Sequence, residues 1–590
     1  MRVTAGRRRR LLVLLGSVII VGAFAGPAAA APLGPWEPNP ALELSSSMDP
    51  ERLAGVAVAP EGLTAAFWAD TSGELVARTR ASAVAPYGAP EVLGGSLLDS
   101  AGGPGDRIAV VAAESSGGTT AVQLRIREAG AGGFSTPVPV VSTADVIVNA
   151  DVAVGPGGAI VVAWAVNAGG AYDVYARVGT VSGGSVTLEP TVTLTAAALS
   201  YVARAQAAIG ADGRIAVSWN AIVGNPPAGQ LWELHTRVRP GAGGDFGGLI
   251  TTLAFAADTK VDSIATEYDA RNHLTVAFAS VANLNGGAPH PITIGTVALR
   301  AGQSAFDAPI VASTYSGQAT PIGLGIAAAG AVTVSWIDHS ATNRPWTATL
   351  PADGSGYGPA EDLAVSGSGV EAGILRLTVA PDGTAVAAFW QQAGVRGEEV
   401  GTPYVRVREA GVASFGAAVV LGQSLAGGSS GADYSYAKLA LGSAANGDAT
   451  ALWSEVAGGT WTPKTRSARM SSPAAAVANG TSTLVVSALA AKVRQSTIVV
   501  RATLMPSASG RVELVATTRR NDRSPRRWRC TSEASVQAGV RMKLTCTLRL
   551  GARRQLDRGA LWLASSFRLT PTVGASVEAY RGLVIPRRAL

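Results

Sequence analysis

Histidine is scarce in this chain, with only His235, His273, His290 and His339 among 590 residues. No two stand at His-x-x-x-His spacing and no cysteine lies near any of them, so zinc-site spacing is absent and neither a metal nor another cofactor is expected. The only cysteines are Cys530 and Cys546, which excludes a disulfide-dense miniature fold. Charged residues make up 15% of the chain, too few for a coiled coil or a solvated disordered polymer. Beyond an apolar run near the N-terminus, no stretch is long enough to span a bilayer.

Glycine is abundant, with 71 residues, and 32 prolines accompany it. Turn signals at close intervals between valine-rich runs predict a β-rich, loop-rich protein. Its length exceeds what one core supports, which calls for several domains or a repeat array.

Residues 1–30 read as an export signal. Arg2 and Arg7 to Arg10 form a basic start, 11–25 an apolar run, and Ala28-Ala29-Ala30 a small-residue cleavage site. An uncleaved anchor is the competing reading, disfavoured because the run falls short of the roughly 20 residues a spanning helix needs. A secreted or cell-surface protein with no transmembrane span after cleavage is therefore expected. Charge is unevenly divided: residues 478–590 hold 20 Lys+Arg against 5 Asp+Glu, whereas 31–477 carry a net charge of −13. An acidic body joined to a basic tail points to an electrostatic partner.

Between residues 31 and 477 one unit recurs. A short small-residue strand, a turn, and a strand ending on an aromatic six positions after the turn residue give the series Gly62/Trp68, Gly105/Val111, Gly158/Trp164, Gly213/Trp219, Asn272/Phe278, Gly330/Trp336, Gly383/Phe389 and Gly447/Trp453. Eight units spaced by 43 to 64 residues match four-stranded propeller blades with loop insertions. Small residues before the turn suit strands converging on an axis, and the aromatics fill the wider gaps between sheets. A third strand alternates apolar and polar residues, as in Val122-Gln123-Leu124-Arg125. A fourth, opening on Tyr87-Gly88-Ala89-Pro90 or Phe134-Ser135-Thr136-Pro137, is expected outermost, since proline cannot donate to a ladder. The eighth unit lacks a fourth strand, and residues 36–44 read as an orphan strand able to supply it and close the ring. An open solenoid is the alternative.

Val56-Ala57-Val58-Ala59-Pro60-Glu61-Gly62, Val152-Ala153-Val154-Gly155-Pro156-Gly157-Gly158 and Leu377-Thr378-Val379-Ala380-Pro381-Asp382-Gly383 give the chain its family likeness. It resembles exported bacterial β-propellers with repeats of the NHL or sialidase-like type. The resemblance implies an all-β, eight-bladed propeller and is compatible with enzymes and binding platforms alike. It departs from the sialidase Asp box, where tryptophan follows glycine by three positions rather than six, which argues against sialidase activity.

Past a Pro/Ala/Ser linker near 471–482, strands at 484–486, 497–504, 511–517, 542–550, 561–569 and 577–584 predict a β-sandwich over 478–590. This tail resembles the immunoglobulin-like or fibronectin-like modules of exported bacterial proteins. A disulfide between Cys530 and Cys546 is expected there, worth roughly 2–4 kcal/mol, with two buried thiols as the alternative.

Gly427-Gly428-Ser429-Ser430-Gly431 matches a nucleophile-elbow pattern but lacks the strand-to-helix context, so it reads as a loop. Two residues past the aligned aromatic stand Asp70, Asp338, Gln391 and Glu455, with Asn220 and Glu114 close to the same place. A ring would bring these positions to one rim, where paired carboxylates serve acid–base chemistry or polar groups grip a ligand; plain solvated strand ends are the bland alternative. In the tail, Arg519, Arg520, Arg526 and Arg527 suit contact with an anionic cell-wall polymer rather than nucleic acid, or simply a solvated basic face. The sequence thus favours an exported, noncatalytic scaffold whose rim contacts glycan or protein. A propeller glycoside hydrolase or lyase acting on extracellular polysaccharide is the alternative.

Overall fold

A computed structural model describes residues 33–585, except 50–53, 196–198, 224–230, 283–289, 318–320, 341–342, 366–370, 394–399, 423–424, 427–438, 458–459, 471–483, 495–496, 507–509, 520–527, 537–541, 550–560 and 572–576 and the single residues 84, 242 and 257. The expected export signal, the linker and the Gly-x-Ser-x-Gly loop fall outside the described residues. By internal packing the chain divides after Met470 into two units.

The first unit is an eight-bladed β-propeller. Its inner strands are Gly55–Val58, Ser96–Gly103, Val146–Val154, Tyr201–Ile209, Lys260–Tyr268, Gly323–Ile326, Glu371–Val379 and Leu439–Ser443, and each starts one antiparallel sheet, blades 1 to 8. Each inner strand packs on the next, and the last packs on the first, which makes the array a ring. Crowding at the axis explains the small residues: a Cβ added to Gly102 would lie 2.0 Å from the Val58 carbonyl oxygen. Farther out, Trp68, Trp164, Trp219, Trp336, Phe389 and Trp453 are fully buried, each shielding on the order of 150–250 Å².

The hairpin from first to second strand is the same in every blade, three residues whose last adopts positive φ. That residue is glycine in six blades, Asp106 (φ 48°) in blade 2 and Asn272 (φ 62°) in blade 5. Both exceptions hold a neighbouring blade: Asp106 Oδ1 accepts from Leu63 N (3.1 Å) and Asn272 Oδ1 from Asp212 N (3.0 Å). Blade 2 therefore departs from the sequence register by one residue. Gly103 pairs with Arg107, so Asp106 and Ala112, not Gly105 and Val111, fill the turn and aromatic positions.

The seam between blades 8 and 1 repeats the chemistry of the joint between blades 6 and 7. Arg80 of blade 1 donates to the hydroxyls of Thr450 (2.7 Å) and Ser467 in blade 8. Arg408 of blade 7 donates to those of Thr333 (2.8 Å) and Thr349 in blade 6. Ala445 N bonds to Pro60 O across the seam as Ala328 N bonds to Pro381 O, both at 2.8 Å.

Blade 8 consists of Leu439–Ser443, Ala449–Ala457 and Thr460–Met470, with Leu33–Glu43 pairing antiparallel to the last through Trp36↔Ala468 and Glu43↔Lys464. Trp36 is buried among Trp390, Leu439 and Trp453. Outermost strands are short in blades 1, 6 and 7, such as Glu91–Val92. The aromatic-Gly/Pro segments expected to open them lie just before them. Each of four such segments is tied to the third strand by one backbone bond, as Gly88 N is to Thr79 O (2.8 Å).

The second unit forms two antiparallel sheets. One holds Leu484–Arg494, Thr497–Pro506 and Met542–Arg549; the other holds Trp528–Val536, Gly510–Arg519, Leu561–Pro571 and Val577–Ile585. The Cys530–Cys546 disulfide joins one sheet to the other. Among the described residues no helix is long and apolar enough to cross a membrane.

Candidate functional site

In each blade the second strand ends at the rim where the inner strand begins, because the two run antiparallel. The rim residues singled out by sequence stand there, and each secures local structure. Asp70 Oδ1 accepts from Ser72 Oγ (2.6 Å), Ser72 N (2.9 Å) and Glu74 N (3.0 Å). The Ser72 hydroxyl, followed by these amides, holds its carboxyl below the ordinary aspartate range. Asp338 Oδ1 accepts from Ser340 N (2.8 Å). Gln391 is buried and brackets Val365, accepting from its N–H (2.7 Å) and donating to its carbonyl (3.1 Å). Glu455 Oε1 accepts from Trp453 Nε1 (2.8 Å). Asn220 accepts from Arg204 N (2.9 Å) and donates to Val261 O in blade 5 (2.8 Å), while Glu114 accepts from Gln123 Nε2 (3.1 Å).

A second group, unnoticed in the sequence, lines the axial channel. Inner strands are sheet edges whose outward N–H groups have no ladder partner, and polar side chains of the preceding blade supply one. Asp99 Oδ2 accepts from Val152 N and Asp151 Oδ2 from Ala207 N, both at 2.8 Å. Asn149 accepts from Ala205 N (3.0 Å) and donates to its carbonyl (2.8 Å). Glu267 accepts from Ile326 N. Enclosure pushes Asp99 up to about 6 and Glu267 up to about 8. Asp151 is driven well above the ordinary range, by burial first and by the charge of Asp99 second.

Two arginines complete the wall. Arg204 on blade 4 is exposed, and Arg376 on blade 7 is half-buried. Burial, and then the Arg204 charge, lowers the affinity of Arg376 for its proton. Blades 4 and 7 are not neighbours in the ring. Register shifts between Val202 and Arg204 and between Ala372 and Ile374 mark bulges beside both residues, and bulges re-aim nearby side chains.

At the rim where the inner strand of blade 4 begins, three aromatics form a row. Tyr172 of blade 3 lies 5.3 Å from Tyr201, which lies 5.6 Å from Trp232, both of blade 4. Tyr201 is 36% exposed. Tyr201 and Trp232 flank Ile222 on adjacent strands. The readable signal for the channel group was a charged or amide residue inside an otherwise small, apolar inner strand.

Among the histidines, His235 is buried against Trp219 and falls to about 4 through desolvation. Among the described residues no group of three His, Cys, Asp or Glu could hold a metal ion. In the second unit Arg519 ends the strand Gly510–Arg519, and Arg520, Arg526 and Arg527 lie outside the described residues.

No protein-family model matches the chain, and no curated protein matches its sequence. Solved structures similar to it include a protein of unknown function from Dyadobacter fermentans, at 10% identity and TM-score 0.37, covering 55% of this chain and 95% of that one. A polysaccharide lyase described as an ulvan lyase has 10% identity and TM-score 0.38, covering 72% and 94%. Aleuria aurantia lectin has 10% identity and TM-score 0.30, covering 64% and 99%. Likeness at this level assigns no activity to the present chain.

Proposed function

We propose that this protein is an exported, noncatalytic binding scaffold whose propeller takes a glycan at the rim carrying Asp70, Asp338, Gln391 and Glu455, next to the channel mouth. The exposed ring of Tyr201, backed by Tyr172 and by the buried Trp232, carries this reading, because an exposed aromatic face suits the apolar face of a sugar ring. The rim carboxylate Asp70 supports binding over catalysis, since its Oδ1 is engaged by its own turn and its proton affinity is lowered, the reverse of what a general acid needs. The test is a glycan-binding screen of the full chain alongside the Tyr201→Ala variant. Sugar binding that Tyr201→Ala weakens upholds the reading, and equal binding by both proteins contradicts it.

A polysaccharide-cleaving propeller is the second reading, favoured by Asp99 and Asp151, adjacent carboxylates whose proton affinities are both raised. Release of new sugar ends by the wild type, lost in Asp151→Asn, would establish it.

The proposal extends to both ends of the chain. Leu33–Glu43 acts as the closing strand of blade 8, which its pairing to Thr460–Met470 supports. Residues 478–590 form an immunoglobulin-like or fibronectin-like sandwich, supported by seven strands in two sheets. The fourth strand sits on the sheet of the third, sixth and seventh, unlike the constant-type immunoglobulin arrangement. Its arginines, Arg519, Arg520, Arg526 and Arg527 among them, contact an anionic cell-wall polymer. Binding of the full chain to cell walls should weaken as salt rises, and salt-insensitive binding would refute that contact.

A further inference from the structure

The exposed ring of Tyr201 is one end of a longer surface. Tyr172 lies 5.3 Å from it, and strand pairing continues from Tyr172 to Asn167 and from Asn167 to Val146 across the first three strands of blade 3. Residues directly opposite on antiparallel strands present their side chains on one face, about 5 Å apart. Val146, Asn167 and Tyr172 therefore form a strip that Tyr201 extends. Val146 is 63% exposed, and Asn167 and Tyr172 are half-buried. From Val146 to Tyr201 the strip is on the order of 15 Å long, the length of about three linked sugar rings.

This strip is fixed before anything binds. Asn167 Nδ2 donates to Tyr172 Oη (2.9 Å), and Asn167 Oδ1 accepts from Gly170 N (2.7 Å). Tyr172 and Leu199 exchange two backbone bonds of 2.9 Å, which tie the segment leading into Tyr201 to blade 3. A surface held in this way loses little conformational freedom when a ligand is laid on it. The rim beside it is also open. Between their second and third strands blades 2 and 3 have only the turns Gly117-Gly118 and Gly169-Gly170, and a Cβ added at any of these four glycines would meet nothing within 4 Å. Blades 4, 5 and 7 carry the longer connections 224–230, 282–289 and 394–399 between the same strands.

We propose that the strip takes several consecutive sugars of a neutral polysaccharide chain, laid from Tyr201 across blade 3 toward blade 2, rather than one terminal sugar. The rings of Tyr201 and Tyr172 and the methyl groups of Val146 meet the apolar faces of successive sugars, and the short glycine turns raise no wall against the continuing chain. No residue of the strip is charged. Asp145, next to Val146, is exposed, and its carboxylate disfavours an acidic sugar there. The inference rests on the glycan rim proposed above and adds the length, direction and charge of its ligand.

The test is calorimetric titration of the full chain, and of its Val146→Asp and Tyr201→Ala variants, with mono-, di-, tetra- and hexasaccharides of xylan, arabinan, galactan and cellulose. Both substituted side chains are exposed, so the variants are expected to fold, and circular dichroism checks them. In at least one series the affinity should rise about tenfold or more from disaccharide to hexasaccharide. Val146→Asp should remove most of that rise while leaving the disaccharide within about twofold of wild type, and Tyr201→Ala should weaken every length that binds. A series in which disaccharide and hexasaccharide bind equally, or whose rise survives in Val146→Asp, overturns the extended subsite and leaves the rim standing. No binding in any series overturns the rim and the subsite together. A wild type that sediments as a dimer and a Val146→Asp variant that sediments as a monomer, with sugar affinities unchanged, would assign the strip to a second copy of the chain and overturn the inference.

Discussion

Glu267 gives the sharpest test of how the channel wall is built. Its carboxyl lies on the inner strand of blade 5, accepts the Ile326 N–H of blade 6, and is raised by enclosure from 4.5 to about 8. Between those values the folded protein keeps a proton that the unfolded chain has released. Raising the pH therefore favours unfolding, and the contribution is full below pH 4.5 and gone above pH 8. At about 1.4 kcal/mol for each pH unit in that window the ceiling is about 5 kcal/mol. The side chain is only half-buried, so water hydrates the ionised form and reduces the expected effect to about 2 kcal/mol. Glu267→Gln keeps an oxygen for Ile326 N and cannot ionise. Urea unfolding at pH 4.5, 6, 7.5 and 9 should find the variant equal to wild type at the acid end and progressively more stable than it toward pH 9. A difference that is constant with pH would refute the enclosed-carboxylate argument.

Other consequences follow from named contacts. Gly213→Ala meets nothing within 4 Å but must hold φ near 83°, so it should cost about 1 kcal/mol. Gly158→Ala should cost more in the same thermal scan, because its Cβ would sit 2.3 Å from the Val181 carbonyl oxygen. Arg80→Ala and Arg408→Ala should each lower stability by about 2–3 kcal/mol, since each removes the guanidinium donor from a pair of mutually bonded hydroxyls, Thr450 with Ser467 and Thr333 with Thr349; a neutral Arg80→Ala would mean that blades 8 and 1 do not form a true joint. Trp36→Ala should cost about 3–5 kcal/mol by opening a cavity against Trp390 and Trp453. Wild-type stability in chemical unfolding would contradict a role for Trp36 in the last blade.

The propeller was legible because its signal is repeated eight times and local: a left-handed turn residue and an aromatic at fixed distance both follow from one hairpin. Where two residues satisfied the pattern the reading slipped, as at Gly105 and Asp106, because an aspartate can occupy the left-handed position when its side chain caps the preceding blade. The rim residues stand near the ends of their second strands, yet their hydrogen bonds to Ser72, Ser340, Val365 and Trp453 depend on turn geometry and blade packing that spacing does not encode. The channel group escaped because Asp99, Asp151, Arg204 and Arg376 come from four blades, and only the ring brings them to one axis. In the tail six of the seven strands were visible, and Trp528–Val536 was missed. Their distribution between sheets was not legible, since the side on which Trp528–Val536 pairs is a non-local choice.

The central claim is that a ring of eight blades is fastened by the strand Leu33–Glu43 lying against Thr460–Met470. Glu43 and Lys464 face each other in that pairing and form an ion pair, at a separation suited to a disulfide across antiparallel strands. Peptide mapping of the oxidised Glu43→Cys/Lys464→Cys protein, after folding under reducing conditions, should find the two introduced cysteines linked to each other and the propeller more heat-resistant than its reduced form. Free thiols at both positions, or a link from either to Cys530 or Cys546, would contradict the closed ring.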